Sequence, residues 1–307
     1  MRLRHAFFVS FALAVAVAGF ACTKADPLGT PTGTSFDGGT EPPSKKDATV
    51  FDPGEASAPT PDAGAKKGQV YAHTARTLYL FEPYAKQLTK VGDFDCLPGP
   101  EVMIDIALNE TGAMYGTTSD LATDKGHFVT IDPISAKCTT RGAVDYYPDS
   151  LGFVPAGTLD VKEALVGYDG EYYVRVDLDT GKMTDIGTLN PPGPDAGTLH
   201  YSSGDIVAII GDKAYLTAND SADLGDYLLE IDPKTGRRVK VIAPLSTREL
   251  WGTGYWGGKI YAFSGAGQVL EVNPVTGAKS TVAQIAVPDG GTGFYGAGVT
   301  TLAPRSP

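Results

Sequence analysis

The chain has 307 residues, 42% of them hydrophobic, with Gly 38 and Pro 22, and a formal charge of −11. That apolar fraction supports one large core or two small ones, and the glycine and proline content suits many short strands joined by turns better than a helical fold. The acidic balance disfavours nucleic acid as a partner, because no basic stripe is present to replace phosphate counterions.

The first element reads as an export signal. Arg2 and Arg4 precede an apolar run from Ala6 to Ala21. It is shorter than the roughly 20 residues that span a bilayer and long enough for a signal-peptide core. The run closes on Gly19-Phe20-Ala21-Cys22, which resembles a bacterial lipobox, with Gly19 and Phe20 in place of the usual leucine and small residue. On that resemblance Cys22 is lipidated; ordinary signal-peptidase cleavage and plain secretion are the alternative. Thr23 is not the aspartate associated with inner-membrane retention, so the expected address is the outer membrane, periplasmic or surface-facing. Residues 1–21 are thus read as signal and 22–68, rich in Pro, Gly, Ser, Thr, Asp and Lys, as a disordered tether that cannot bury enough surface to offset its ordering entropy.

From residue 69 one phrase recurs: YLFEPYAKQL, FVTIDPISAKC, YVRVDLDTGKM, YLLEIDPKTGRR and VLEVNPVTGAK. Its anchors are Glu82, Asp132, Asp177, Asp232 and Asn273, a period in the forties or fifties with irregular insertions, as in propeller blades. Within a unit, Tyr227, Leu229 and Ile231 share one face at period two, as in a half-buried strand. Asp232-Pro233-Lys234-Thr235-Gly236 then turns the chain: proline presets φ, and glycine takes the left-handed position that closes a hairpin. A further strand pair precedes each of the last four hairpins: 102–108 with 113–118, 150–154 with 163–168, 206–210 with 213–217, and 250–256 with 259–263. The first unit, 70–74, 78–81 and 87–91, lacks its innermost strand, and 296–302 at the C-terminus supplies one. The expected fold is an all-β, five-bladed β-propeller over 69–304, closed by a blade that N- and C-terminal strands share.

The DP-x-TG hairpins, with GDFDC, AKC, DIALNETGAMYGTT, SLGFVPAGTLD and SSGDIVAIIGDKAYLT, resemble a family of uncharacterised bacterial lipoproteins with propeller domains. The resemblance spans 69–304 and implies a fold and an address, with no activity attached.

Long connections (93–101, 119–126, 190–204, 219–225, 244–249 and 286–293) fall on the face opposite the short repeat turns, and a site is expected there. Aromatics near the starts of inner strands, Tyr146, Tyr147, Tyr201, Trp251, Tyr255, Trp256, Phe294 and Tyr295, suit stacking on a sugar or gripping a peptide, or packing between blades. Trp251, Tyr255, Tyr146, Tyr201 and Tyr295 are the ligand-binding candidates. Asp105, Asp149 and Asp205 head successive inner strands. They are candidates for Ca²⁺ ligation or a glycosidase pair, or for accepting local backbone N–H groups. Asp177-Leu178-Asp179-Thr180-Gly181 begins like an EF-hand loop but lacks the later glutamate, and reads as a turn. His73, His127 and His200 lie in three different units without metal-ligand spacing. With Cys22 lipidated, Cys96 and Cys138 remain as a possible disulfide. Parity pairs them, whereas their places on opposite ends of the strands separate them.

The reading is of a non-enzymatic, lipid-anchored envelope binding module that meets an envelope protein or glycan as a monomer and the membrane through its lipid alone. The rivals are a carbohydrate-active hydrolase using channel carboxylates and a Ca²⁺-stabilised structural envelope protein.

Overall fold

The computed structural model describes residues 69–148, 150–192, 197–211, 213–222, 224–287 and 292–307. The signal, the tether and Cys22 therefore lie outside the described residues, as does Asp149. Among the described residues every regular element is a strand, and no helix is long and apolar enough to cross a membrane.

Twenty strands form five four-stranded antiparallel sheets. Blade one uses β1 (Val70–His73), β2 (Thr77–Glu82) and β3 (Gln87–Asp93). Blade two is β4 (Val102–Leu108), β5 (Met114–Ser119), β6 (Gly126–Ile131) and β7 (Cys138–Val144). Blade three is β8 (Ser150–Val154), β9 (Ala164–Asp169), β10 (Tyr172–Val176) and β11 (Met183–Thr188). Blade four is β12 (His200–Ala208), β13 (Ala214–Asp220), β14 (Tyr227–Asp232) and β15 (Arg237–Pro244), and blade five is β16 (Leu250–Trp256), β17 (Lys259–Ser264), β18 (Gln268–Val272) and β19 (Lys279–Gln284). The last strand, β20 (Gly296–Gly298), returns to pair with β1, placing Gly298 opposite Tyr71 and Gly296 opposite His73. It is the innermost strand of blade one, and the inner strands β20, β4, β8, β12 and β16 neighbour one another in a closed ring. The fold is the five-bladed propeller with a shared closing blade.

The two largest differences in strand boundary from the sequence reading concern the closing strand and β12. The closing strand ends at Gly298 rather than at 302. The tail beyond it crosses the short-turn face, where Thr301 O accepts from Ile210 N at 3.0 Å and Pro304 O from Gly257 N at 2.8 Å. Strand β12 begins at His200 rather than at 206, because a register shift between Ser202 and Ile206 lets the strand continue past the bulge.

The repeat turn has a common construction. The Oδ1 atoms of Asp132, Asp232 and Asn273 accept from the N–H two residues on, at 3.0, 3.0 and 2.8 Å. The N–H four residues on closes onto the anchor's carbonyl in all three and in Asp177. The closing residue has φ between 54° and 73° whether it is Gly181, Gly236 or Gly277 or, without that freedom, Lys86 or Ala136. The non-glycine cases bear a strain of roughly 1–2 kcal/mol each.

Each turn also meets the preceding blade. Every third-to-fourth strand pair carries a bulge after Leu78, Phe128, Tyr173, Leu228 or Val269, opposite Gly92, Gly142, Gly187, Ala243 or Ala283. A Cβ on Gly92, Gly142 or Gly187 would lie 2.8, 2.8 or 1.9 Å from the carbonyl oxygen of Ser135, Thr180 or Thr235 in the next blade's turn. Tyr168 and Tyr173 of blade three donate their hydroxyls to Gly236 O and Pro233 O of blade four, at 2.6 and 2.8 Å. The repeat is therefore a clasp between blades as well as a hairpin.

The same geometry forms the disulfide. The end of β3 tilts down to the next blade's turn, so Asp95 Oδ1 accepts from Cys138 N at 2.9 Å and Cys96 bonds Cys138 with their Cα atoms 5.5 Å apart. Parity predicts this bond. The argument from strand levels fails because it treats the blades as untwisted. The apolar core lies between blades: Phe81 of blade one packs edge-on against Phe263 of blade five, which in turn meets Phe294.

Candidate functional site

The axis comes first, because a propeller's inner strands expose one unpaired backbone edge to it. Here it is filled. Side chains and backbone from all five inner strands, among them Ala107, Phe153, Val207, Thr253 and Ala297, enclose a void of ≈ 10 Å³. That is room for one water at most.

Just toward the long-loop face from this void lie Asp105 and Asp205, each 1% exposed. Asp205 Oδ2 accepts from Thr253 N of blade five at 2.9 Å and, across the axis, from Ala297 N of blade one at 2.8 Å. Asp105 Oδ1 accepts from Ile106 N at 2.7 Å, and the carboxyl also takes a backbone bond from Leu151 of blade three. Asp105 Oδ2 and Asp205 Oδ1 take no N–H or O–H from any other residue. The two carboxyls bond each other instead, which requires one to hold a proton. Burial, followed by repulsion from Asp205, pushes Asp105 well above the usual carboxylate range. Burial alone lifts Asp205 to about 7, against three hydrogen bonds that lower it. The pair titrates as one unit. Through Asp105, Leu151, Asp205, Thr253 and Ala297 this unit touches one residue in each of the five blades.

His73 adjoins the pair without joining it. Fully buried, it is pushed down to about 4 by desolvation and is neutral. Its Nδ1 donates to Thr74 O at 2.9 Å, which leaves Nε2 bare and without a hydrogen-bond partner, 3.9 Å from Asp105 Oδ1. Gly296 makes this approach possible, since a Cβ there would sit 2.3 Å from Asp105 Oδ1 and 2.6 Å from His73 Nε2.

This donor set does not suit Ca²⁺. The ion takes six to eight oxygens, whereas Asp205 Oδ2 and Asp105 Oδ1 are occupied by backbone N–H groups. Among the described residues no three His, Cys, Asp or Glu side chains converge as a metal would need. The arrangement instead satisfies the free edges of the inner strands at a turn of the chain.

The aromatics divide. Trp251 and Tyr295 meet as a tilted pair with ring centroids 5.5 Å apart, both half-buried at the long-loop mouth. Tyr295 N donates to His73 O at 2.8 Å, which holds the pair beside the acid hub. Tyr146, Tyr147 and Tyr201 are half-buried on the same face. Tyr255 is not at the mouth: it lies at the far end of β16, 2% exposed, stacked on Tyr215 with centroids 6.3 Å apart. Trp251 is the extra residue of a bulge between Leu250 and Gly252 at the mouth end of β16, whereas Tyr255 lies in the regular part of the strand at its other end. Trp256 and Phe294 are likewise core residues.

Two groups on or near that face escape a reading by motif. Glu101 Oε2 accepts from Thr118 Oγ1 at 2.6 Å and meets His127 Nδ1 at 3.0 Å. On blade four a cleft of ≈ 360 Å³ is lined by Thr198, His200, Tyr227, Arg238 and Val241. Arg238 donates to Thr198 O at 2.7 Å and contacts His200 Nδ1. Burial and then the guanidinium depress that imidazole. Each group joins residues from separate strands, so sequence spacing carries no signal of either.

No family model matches the chain, and no curated protein matches it. Solved structures do. BamB from Moraxella catarrhalis is 14% identical with a TM-score of 0.33, covering 72% of this chain and 60% of its own. TolB from Acinetobacter baumannii is 14% identical with a TM-score of 0.42, covering 75% and 53%. An exo-beta-1,3-galactanase from Phanerochaete chrysosporium is 12% identical with a TM-score of 0.42, covering 73% and 61%. This chain spans less than two thirds of the length of each, and their activities are not carried over to it.

Proposed function

We propose that this chain is a non-enzymatic binding module of the cell envelope, exported and held by a lipid on Cys22, with the long-loop face as its ligand surface. One observation carries the non-enzymatic part. A glycosidase places two carboxyls on either side of the bond it breaks. Here Asp105 and Asp205 are bonded to each other and to backbone N–H groups, at a filled axis with room for no substrate. The half-buried Trp251–Tyr295 pair then supplies the anchor, since aromatic side chains in part-desolvated positions dominate binding energy. Asp145 and Glu249 are exposed acids on the connections of the same face. They favour a partner with basic groups or a hydroxyl-rich glycan.

Thermal unfolding of residues 69–307 against cell-wall and plant glycans tests the reading. One glycan is expected to raise the midpoint by several degrees, and Trp251→Ala and Tyr295→Ala are expected to abolish the shift. With no shift, a photo-crosslinker placed at position 251 in the full exported chain reports a protein partner. Absence of any crosslink in the native envelope would reject the binding-module reading.

A further inference from the structure

At the mouth of blade five one acid is set apart by its backbone. Glu249, in the connection before β16, has φ 58°. A left-handed backbone costs a residue with a side chain roughly 1–2 kcal/mol, a cost that glycine would avoid. The position is held from both sides: Glu249 O accepts from Gly265 N at 2.8 Å, and Leu250 N donates to Asp226 Oδ2 at 2.7 Å. The carboxylate carried there is exposed, and among the described residues it makes no hydrogen bond and no ion pair. The cations at this connection are committed. Lys279 donates to Leu245 O and Thr247 Oγ1, and Arg248 has a partner of its own.

Two aromatic rings stand beside it. Trp251 is the bulged residue of β16, and a bulge re-aims the side chain it carries. Its ring meets that of Tyr295 at 53°, with centroids 5.5 Å apart. Both residues are half-buried, and among the described residues the Tyr295 hydroxyl makes no hydrogen bond. Gly265 lies beneath the group. A Cβ on it would sit 2.5 Å from Glu249 Oε2 and 3.1 Å from Trp251 Cζ3. Gly265 does not take a positive φ, so space rather than backbone freedom calls for glycine there. The carboxylate and the indole therefore border one recess floored by backbone.

An unpaired carboxylate next to apolar rings selects charge and shape together. It accepts from a hydroxyl, but an ammonium adds full charge attraction, which is strengthened where the rings displace water. A bare ammonium is gripped best by an aromatic cage that surrounds it. Two rings at this angle leave an open corner instead, which takes a sugar ring laid flat on the indole. We infer that this recess binds an amino sugar, with the apolar face of the sugar ring on Trp251, a hydroxyl at the Tyr295 phenol and the protonated amine against Glu249. The inference rests on the long-loop face being a ligand surface, and it deepens that reading by naming the ligand's chemistry, a glycan with free amino groups. Glu249 is then the specificity-determining residue, and Trp251 supplies the affinity that charged and neutral sugars share.

The test is calorimetric titration of the closed ring, residues 69–307, at physiological ionic strength. The probes are glucosamine oligosaccharides and their N-acetylated counterparts, which share the backbone and lack the charge. The wild type is expected to bind the free-amine form about tenfold more tightly. Glu249→Gln is expected to keep the melting midpoint and bind both forms alike, whereas Trp251→Ala is expected to lose both. Equal or tighter binding of the N-acetylated form overturns the inference and leaves the ligand-surface reading standing. A preference that Glu249→Gln retains also overturns it, because the attraction then belongs to the acidic chain at large. Binding of oligolysine that depends on Glu249, with no binding of either sugar, overturns it by giving the recess to a basic peptide. If neither sugar nor oligolysine binds, the inference fails, and the crosslinker at position 251 decides the wider reading separately.

Discussion

On the short-turn face five connections share one geometry, down to the residue with positive φ. On the long-loop face the connections differ in length and composition. The difference follows from how many blades constrain each loop. A short turn answers to its own hairpin and to the preceding blade's outer strand, where a bulge and a small residue receive it. Few sequences satisfy both. A long loop is constrained mainly at its ends, which leaves its middle free to vary toward a partner. The axis is the exception on the long-loop side: Asp105 and Asp205 are as tightly specified as any turn, because they satisfy backbone edges of several blades at once.

The largest expected effect comes from cutting the one covalent link between a long connection and a short turn. Replacing Cys96 and Cys138 by serine frees a loop with a sequence separation of 42. By chain entropy this lowers stability by about 4 kcal/mol, measured by denaturant unfolding under oxidising conditions. A loss below about 1 kcal/mol would mean that the clasp alone holds blade one to blade two.

The clasp is next. Gly236 has φ 68°, and a Cβ there would lie 2.2 Å from the ring of Tyr173 in the preceding blade, whereas Gly157, with φ 83°, has nothing within 4 Å. Gly157→Ala is expected to lose roughly 1–2 kcal/mol through the backbone alone. Gly236→Ala is expected to lose about 3 kcal/mol once overpacking is added. Equal losses in the two variants would show that the turns are constrained only by their own hairpins.

The last effect depends on pH. In the folded chain Asp205 titrates at about 7, above its unfolded value, because burial favours the protonated form. Below about pH 4 both states are protonated and the site is neutral to stability. As pH rises from there toward 7 the unfolded chain releases its proton first, so stability falls, and the loss levels off once the folded carboxyl also ionises. Asparagine mimics the protonated acid. Asp205→Asn is therefore expected to be near neutral at acid pH and to gain steadily on the wild type as pH rises toward 8. A difference that stays flat across this range would mean that the hub holds no proton.

The repeat was legible because its signals are local. Alternating apolar residues, a proline and a glycine at set offsets report strand, turn and return within a dozen residues. The missing inner strand and the spare one at the terminus were enough to close the ring. The site was partly legible. The sequence singles out Asp105 and Asp205 as heading inner strands and Trp251 and Tyr295 as lying near such starts; the structure sets the two aspartates inside β4 and β12, buried at the axis, and Trp251 beside Tyr295. Tyr255 differs from that expectation because β16 runs seven residues from Leu250 to Trp256, which carries Tyr255 away from the mouth. The proton between two carboxyls, and the pairing of Glu101 with His127, depend on side chains meeting from strands that no spacing rule connects.

What the sequence by itself determined is the number of blades, their strand order and the way the ends meet, since each is written in short-range pattern and count. Only the tertiary structure decided that Cys96 reaches Cys138, that the axis is filled, and which apolar residues are left facing outward. Each of these depends on the twist within a blade and the tilt between blades. Those rotations arise from small backbone preferences accumulated along many strands, and they bring together residues whose separation along the chain gives no warning that they will meet.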